Sequence, residues 1–478
     1  MTKQETVIQY ITDNYLQFNR LRYDTISDKL QIRMEADLGS SESWRMVQSS
    51  LSFQEQPLHH SKQPLHHSTQ PLHHSTQHHW RDMTKMDINS IVCHCASEYN
   101  ANITSREVLT ALHSDLIPHV HPLREYLQTL PSHRPESPDW IDMVAQQVRV
   151  KASPHSLPES RGAVTQSYSI TFAEDNSEDN KLLPSEDLDK ASRLWRLCFK
   201  KWFVAMVASW LYDDVVNHQV LVLIGRQGIY KTTWLERLIP AELRAYSCKM
   251  ANATDLNKDD RLRIAEFGLI SLDEIDSMNT RELNQLKSII TASDVNERAA
   301  YAYSKERKMR LASFCASGNR REFLSDMTGN RRWLPFEVES IQDPFCSIIP
   351  YQQMYAQALY LIERDFNYWF EMEEIEVIEK HNENFRDECS EEQLLPILFD
   401  VPAEGRGNFL TTAQISEKLV SYGNIKKPIA LNRLGMMLAQ QGYQSVRPRI
   451  GGIKTRGWLV YQRDSNEIDR IKHMLKEP

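Results

Sequence analysis

The stretch that most constrains this chain is the apolar run VLVLI, Val220–Ile224, followed at once by GRQGIYKTT, Gly225–Thr233. An apolar run that ends on a glycine-rich turn and passes into the helix-like TTWLERLI reads as strand, loop, helix. In that order, loop N–H groups and the start of the helix can wrap a phosphate chain. Gly225, Gln227, Gly228, Lys231, Thr232 and Thr233 are therefore the expected nucleotide contacts. Lys231 would reach the β- and γ-phosphates as a point charge, and the Thr232 hydroxyl would hold Mg²⁺. The pattern G-x-x-x-x-G-K-[ST] is incomplete, because Tyr230 stands where the second glycine belongs. With Gly225 and Gly228 left to supply the turn, Tyr230 is expected in ordinary helical geometry, its ring turned away from the phosphates.

About forty residues on, LISL, Leu269–Leu272, runs into Asp273 and Glu274. Alone, this segment reads as a strand closing on a solvated acidic turn. Spaced as it is from the glycine loop, it supplies Asp273 for the water shell of Mg²⁺ and Glu274 as general base. A third strand, Leu311–Ala316, leads to Asn319, which can hold the attacking water, sense a γ-phosphate or form a turn. In TGNRRW, Arg331 and Arg332 are either a solvated basic turn or arginines that stabilise a neighbouring subunit's phosphates.

The runs KKWFVAMVAS, GRQGIYKTT, LISLDEID, the segment from Arg298 to Tyr301, FCASGN and TGNRRWLPFEV occur in this order. They resemble the virulence-associated protein E family of P-loop ATPases over about residues 113–345. That family is carried on phages, plasmids and other mobile elements and is similar to the helicase-type ATPases of replication. The resemblance implies Lys231 and Thr232 at the phosphates and metal, Asp273 and Glu274 as the acidic pair, and Asn319 as sensor. It also implies Arg331 and Arg332 as inter-subunit arginines. Tyr230 is the departure, standing where most relatives carry glycine.

A chain of 478 residues with net charge −8 suits about three domains. The longest apolar stretch, Trp202–Leu211, is too short and too close to Lys200 and Lys201 to cross a bilayer. Seven cysteines without a CxxC pair suggest reduced thiols and a cytoplasmic protein. Cys93-His94-Cys95 has metal-ligand chemistry, but its one-residue gap and missing second pair favour ordinary thiols.

Residues 1–112 are expected to be largely helical, with helices over Gln4–Arg22, Asp87–Tyr99 and Ser105–His113. Within them, 54–79 is a low-complexity linker repeating QPLHHS, where a proline in every unit excludes a continuous helix. Its paired histidines have no fixed geometry for a metal. Residues 113–345 form the ATPase region, interrupted by a proline-rich and acidic linker at 131–190. From Lys190, apolar Leu194, Leu197, Trp202, Met206, Val207 and Trp210 recur at helical spacing and mark a core helix beneath the sheet. Residues 346–400 read as a helical acidic connector, with helix over Tyr351–Asn382.

In 401–478, Thr411 and Thr412 cap a helix to Tyr422, and a second helix spans Ala430–Gln441 with Leu431, Leu434, Met437 and Leu438 inward. Val446–Arg463 then alternates as a hairpin around Gly451 and Gly452. This is a winged-helix outline. Between Gly405 and Arg463 stand ten Lys or Arg and one acid, Glu417, a net of +9, so the remainder of the −8 chain sums to −17. Concentrated positive charge suits a binder of phosphate backbones, with Arg433, Arg447, Arg449, Lys454 and Arg456 as candidates. A basic surface for protein contacts is the other reading.

The expected fold is therefore α/β: a P-loop NTPase core with a parallel sheet flanked by helices, a helical N-terminal part and a winged-helix-like C-terminal domain. The expected function is ATP- and Mg²⁺-dependent work on single-stranded or forked DNA in the replication of a mobile element, by a homo-oligomer that can close into a ring. No primase motif is visible, so priming falls to a separate chain, and no membrane is involved. The alternative is a nucleotide-gated, non-hydrolysing DNA-binding initiator or regulator. A small-molecule kinase fits less well, because neither an acceptor pocket nor a lid is legible and the basic tail would go unexplained.

Overall fold

Side-chain caps start several helices of the computed structural model, which describes residues 2–33, 80–151, 190–250, 258–297, 306–324, 330–387, 389–402 and 407–474. The QPLHHS repeat, nearly all of the linker after Lys151, the segment from Arg298 to Tyr301, and Thr328 with Gly329 lie outside the described residues. The chain divides into two units, residues 1–319 with 331–378 and residues 320–330 with 379–478.

The first unit begins with α1 (Lys3–Ile11), which continues as a π-helical turn to Leu16. Next come β1 (Leu21–Asp24), β2 (Lys29–Arg33), β3 (Trp80–Asp82), α2 (Lys85–Tyr99), α3 (Ser105–Leu112) and β4 (His119–Val120). Thr2, Thr84 and Thr104 start the three helices as capping boxes with Glu5, Asp87 and Glu107. The helix expected over Gln4–Arg22 therefore stops short. Leu21–Asp24 instead pairs with β2 in a four-stranded sheet of order β3-β2-β1-β4. Its residues alternate only weakly; β1 and β2 form a local hairpin, and β3 and β4 join it from positions farther along the chain. Cys95 is buried among Val7, Ile11 and Ile91, whereas Cys93 is exposed.

The centre of the first unit is built from α4 (Pro122–Gln128), α5 (Trp140–Ala145), β5 (Val148–Val150), α6 (Lys190–Leu211), β6 (Val220–Ile224), α7 (Lys231–Glu236) and β7 (Ser247–Met250). It continues through α8 (Lys258–Glu266), β8 (Leu269–Leu272), α9 (Thr280–Thr291), β9 (Asp294–Glu297), β10 (Glu306–Met309), β11 (Ser313–Gly318) and β12 (Trp333–Ile341). Helices α10 (Tyr351–Glu363) and α11 (Met372–Asn382) follow, with Arg364–Glu371 breaking the single helix expected there. Six strands form one sheet of order β5-β12-β6-β11-β8-β7, parallel except for β5 at one edge. Strands buried on both faces read as continuous apolar runs, which is why β6, β8 and β11 were visible in the sequence.

Helix α6 is the core helix, buried along most of its length. Its indoles find backbone acceptors rather than water: Trp195 donates to Ala145 O at 2.9 Å, Trp202 to Phe314 O at 3.1 Å and Trp210 to Gly268 O at 3.1 Å. Arg310 is also enclosed. Its guanidinium donates to Ala312 O at 2.9 Å, to Asn217 O at 2.8 Å and to Ile290 O, and burial lowers its pKa below the ordinary arginine value. It thereby ties the approach to β6 to the end of α9. No helix among the described residues is long and apolar enough to cross a membrane.

The second unit holds α12 (Ser390–Leu398), β13 (Phe399–Asp400), β14 (Asn408–Leu410), α13 (Thr412–Gly423), α14 (Leu431–Gln440), β15 (Gln444–Val446), β16 (Arg449–Ile450), β17 (Ile453–Lys454), β18 (Gly457–Gln462) and α15 (Ser465–Met474). Strand β18 pairs antiparallel with β13, β14 and β15, and β16 pairs with β17 across Gly451 and Gly452, whose φ angles are 59° and 85°. Leu434 and Leu438 join Ile415, Leu419 and Trp458 in the core, and Met437 is buried as well. Leu431, expected inward, is 47% exposed because it opens the helix before the buried stripe begins.

Replacing Arg310 with Met would strand several buried carbonyl acceptors, so Arg310→Met should cost roughly 3 kcal/mol in denaturant unfolding. Arg310→Lys should recover only part of it. A loss under about 0.5 kcal/mol in Arg310→Met would contradict this account of the core.

Candidate functional site

Strands β6, β11 and β8 lie side by side and parallel, so their C-terminal ends deliver three loops to one sheet edge, where open parallel sheets bind ligands. Ile224 is level with Gly318, and Leu272 with Ala316. The first loop leaves β6 through Gly225, whose N–H donates to Gly318 O at 3.1 Å. A Cβ at Gly225 would stand 3.0 Å from Val338 O, so only glycine threads this gap without displacing β12. Gly228, at φ +85°, then turns the loop in open space.

Lys231, only 7% exposed, sits inside the curl of its own loop. Its ammonium donates to Gly225 O at 2.8 Å, Arg226 O at 2.7 Å and Asn319 Oδ1 at 3.3 Å. Burial lowers its pKa below the ordinary lysine value, and the Asp276 and Asp273 carboxylates act in the opposite direction. Beside it three side-chain oxygens converge. Thr232 Oγ1 lies 2.9 Å from Ser317 Oγ and donates to Asp273 Oδ1 at 3.3 Å, while Ser317 Oγ donates to the same oxygen at 2.6 Å. An oxygen-only group of two hydroxyls and a carboxylate suits a hard cation such as Mg²⁺.

The acidic loop is tied to the tip of β11, where Asn319 N–H donates to Asp276 Oδ1 at 3.1 Å. Glu274 is exposed and left-handed at φ 52°, and its N–H donates to Asp273 Oδ1 at 3.2 Å. The structure thus brings Lys231, Thr232, Asp273 and Asn319 together, with Glu274 on the rim of the group. Gln227 is exposed on the loop and Thr233 half-buried in the first turn of α7. Sequence reasoning missed Ser317 and Asp276. The signals were a hydroxyl at the end of the third apolar run and a third acid three residues after Asp273.

Tyr230 corrects an expectation. It lies at φ 66° and ψ 17°, in the left-handed region, and caps α7 from there. The loop keeps the backbone path that a glycine at this place would take, and a tyrosine follows it at a cost of about 1 kcal/mol. Its side chain is 41% exposed.

Arg331 and Arg332 lie elsewhere. They precede β12, and Trp333 pairs with Val220 at the start of β6, so they stand at the N-terminal edge of the sheet. The length of β6 separates them from Lys231, roughly 15 Å. Arg331 is exposed; burial, and then Arg331, lower the pKa of half-buried Arg332.

In the second unit, Arg447, Arg449, Lys454 and Arg456 are exposed along the ribbon β15–β18, and Arg433 is half-buried on α14. Among the described residues, no group of three or more His, Cys, Asp or Glu gathers as a metal site.

Fold and site define a mixed α/β protein whose polar site is built from loops at the C-terminal edge of a parallel sheet. Residues 180–387 match the virulence-associated protein E-like domain. The match begins after the 113 read from the motifs and runs on past 345, through α11. No curated protein matches the chain. Among solved structures, the apo NrS-1 C-terminal region (305–718) is 10% identical, covering 96% of this chain and 100% of that one at a TM-score of 0.38. A model of the magnesium chelatase BchI–BchD complex is 13% identical, covering 56% of this chain and 98% of that one at a TM-score of 0.23.

Relief of the left-handed strain should let Tyr230→Gly gain at most about 0.5 kcal/mol in thermal unfolding, the strain removed less the entropy that glycine adds. A clear loss of stability would mean that the ring's edge-to-face contact with Phe345 outweighs the strain.

Proposed function

We propose that this chain is a helicase-like P-loop ATPase that binds ATP with Mg²⁺ at Gly225–Thr233 and spends its hydrolysis on DNA during replication of a mobile element. The observation that carries the reading is the meeting of Lys231, Thr232, Asp273, Ser317 and Asn319 at one sheet edge. Helix α7 has only six residues, so the loop N–H groups and the lysine would supply most of the hold on the phosphates.

Thr232 would hold Mg²⁺ directly and Asp273 through its water shell, with Ser317 fixing the carboxylate. Bound there, Mg²⁺ neutralises charge on the β- and γ-phosphates. Lys231 would exchange its loop carbonyls for phosphate oxygens, a favourable trade for a buried ammonium. Asn319, already against Lys231, would orient the attacking water, and Glu274 on the rim would take its proton.

Arg331 and Arg332 are too far along the strand to reach this site in their own chain. Their place supports a homo-oligomer, possible as a ring, in which they meet a neighbour's γ-phosphate. In 401–478, two helices followed by a basic ribbon support a winged-helix-like domain that holds single-stranded or forked DNA through Arg433, Arg447, Arg449, Lys454 and Arg456. Residues 113–345 would be the motor and 346–400 its connector, with priming left to a separate chain. A second reading, a nucleotide-gated DNA-binding initiator that does not hydrolyse, is favoured by the engagement of Lys231 with its own loop.

Lys231→Ala should abolish binding of a labelled ATP analogue, and Glu274→Gln should bind it but release no phosphate. Wild type that binds without turnover, with or without single-stranded DNA, would favour the second reading. Arg331→Ala or Arg332→Ala should keep binding and lose turnover, and wild-type activity should rise more steeply than linearly with protein concentration. Linear dependence in a protein monomeric by light scattering would exclude the shared site.

Deleting 401–478 should remove most DNA affinity, along with its steep fall with salt, and leave nucleotide binding intact. Unchanged DNA affinity would return the basic ribbon to protein contacts.

A further inference from the structure

One flank of the phosphate loop carries a feature that the proposed reaction does not use. Strand β12 lies beside β6 on the side away from Asp273, and the chain leaving β12 runs through Asp343, Pro344 and Phe345. Phe345 is 82% exposed, yet the segment that carries it is pinned. Phe345 N–H donates to Asp343 Oδ1 at 2.9 Å, and the N–H groups of Cys346 and Ser347 donate to Asp343 O at 3.1 and 2.8 Å. Arg237, just after α7, donates to Ser347 O at 3.1 Å, and Gln147 donates to Ile348 O at 3.1 Å. Phe345 therefore presents a large apolar ring to water on a fixed support.

Tyr230 meets this ring. The two ring centroids lie 6.3 Å apart with planes at 84°, an edge-to-face pair. Tyr230 stands immediately before Lys231 and takes its left-handed conformation at an energetic cost, the kind of outlier that gathers at ligand sites. A triphosphate that ends at Lys231 must extend its sugar and base away from the Mg²⁺ group formed by Thr232 and Asp273. The flank of the loop opposite that group is where the aromatic pair stands.

We propose that Tyr230 and Phe345 form the nucleobase platform of the site, with the base stacked on one ring and edged by the other. The inference rests on the nucleotide reading above and adds to it the residues that grip the base. Stacking is tolerant of base identity and strongest for the larger purine surface, so the platform predicts a purine over pyrimidine preference without strict selection between adenine and guanine.

The test is competition against a fluorescent ATP analogue on the full chain, with ATP, CTP and inorganic tripolyphosphate as competitors. Phe345→Ala should weaken ATP about tenfold and narrow the ATP-to-CTP ratio, while tripolyphosphate, which has no base, competes as it does against wild type. Tyr230→Phe should keep ATP affinity, and Tyr230→Ala should weaken ATP more than tripolyphosphate. Equal weakening of ATP and tripolyphosphate by Phe345→Ala would show that the ring only supports the loop. No change in either would assign the rings to another contact, such as DNA or a second copy of the chain, and both results overturn the platform. A wild type that binds tripolyphosphate but not ATP would overturn the platform and spare the phosphate site. One that binds neither would overturn both.

Discussion

The parallel register of β6, β11 and β8 is the constraint on which everything else at the site depends. Three strand ends staggered by no more than two residues put Gly225, Gly318 and Asp273 within reach of the same small volume, although nearly a hundred residues of sequence separate the first from the second. Helix α6 and the enclosed guanidinium of Arg310 stiffen that arrangement from within the core. The first fills the space against the sheet with indoles that donate to backbone carbonyls, and the second binds the approach to β6 to the end of α9. A site made from loops gains its precision from a scaffold of this kind.

The same register separates two groups of cations. Lys231 is at the C-terminal edge of the sheet and the paired arginines are at the N-terminal edge, so one chain cannot bring both to one phosphate. In the account proposed here, that distance makes assembly a condition of turnover, and it gives each chain one complete binding loop and one donated arginine face.

Much of the central sheet was legible because strands buried on both faces leave unbroken apolar runs, and glycines and acids at their ends stand out against them. Lys231, Thr232, Asp273 and Asn319, which the structure brings together, were singled out in this way. The four-stranded N-terminal sheet was not, since its strands are short and mix polar with apolar residues, and two of its three pairings bring in β3 and β4 from far along the chain. Ser317 and Asp276 escaped because a serine or an aspartate acquires meaning there only when a neighbouring strand brings it a partner. Tyr230 was misread for a different reason. Its backbone obeys the demand of the loop rather than the preference of its own side chain, and only the dihedral angles reveal that conflict.

The most direct measurement of the central claim is amide hydrogen exchange of the full chain with and without ATP and Mg²⁺. The account predicts slowed exchange across Gly225–Thr232 and at the tips of β8 and β11, where the loops would close on the phosphates. Exchange unchanged there, or slowed only elsewhere in the chain, would contradict a nucleotide site at this sheet edge.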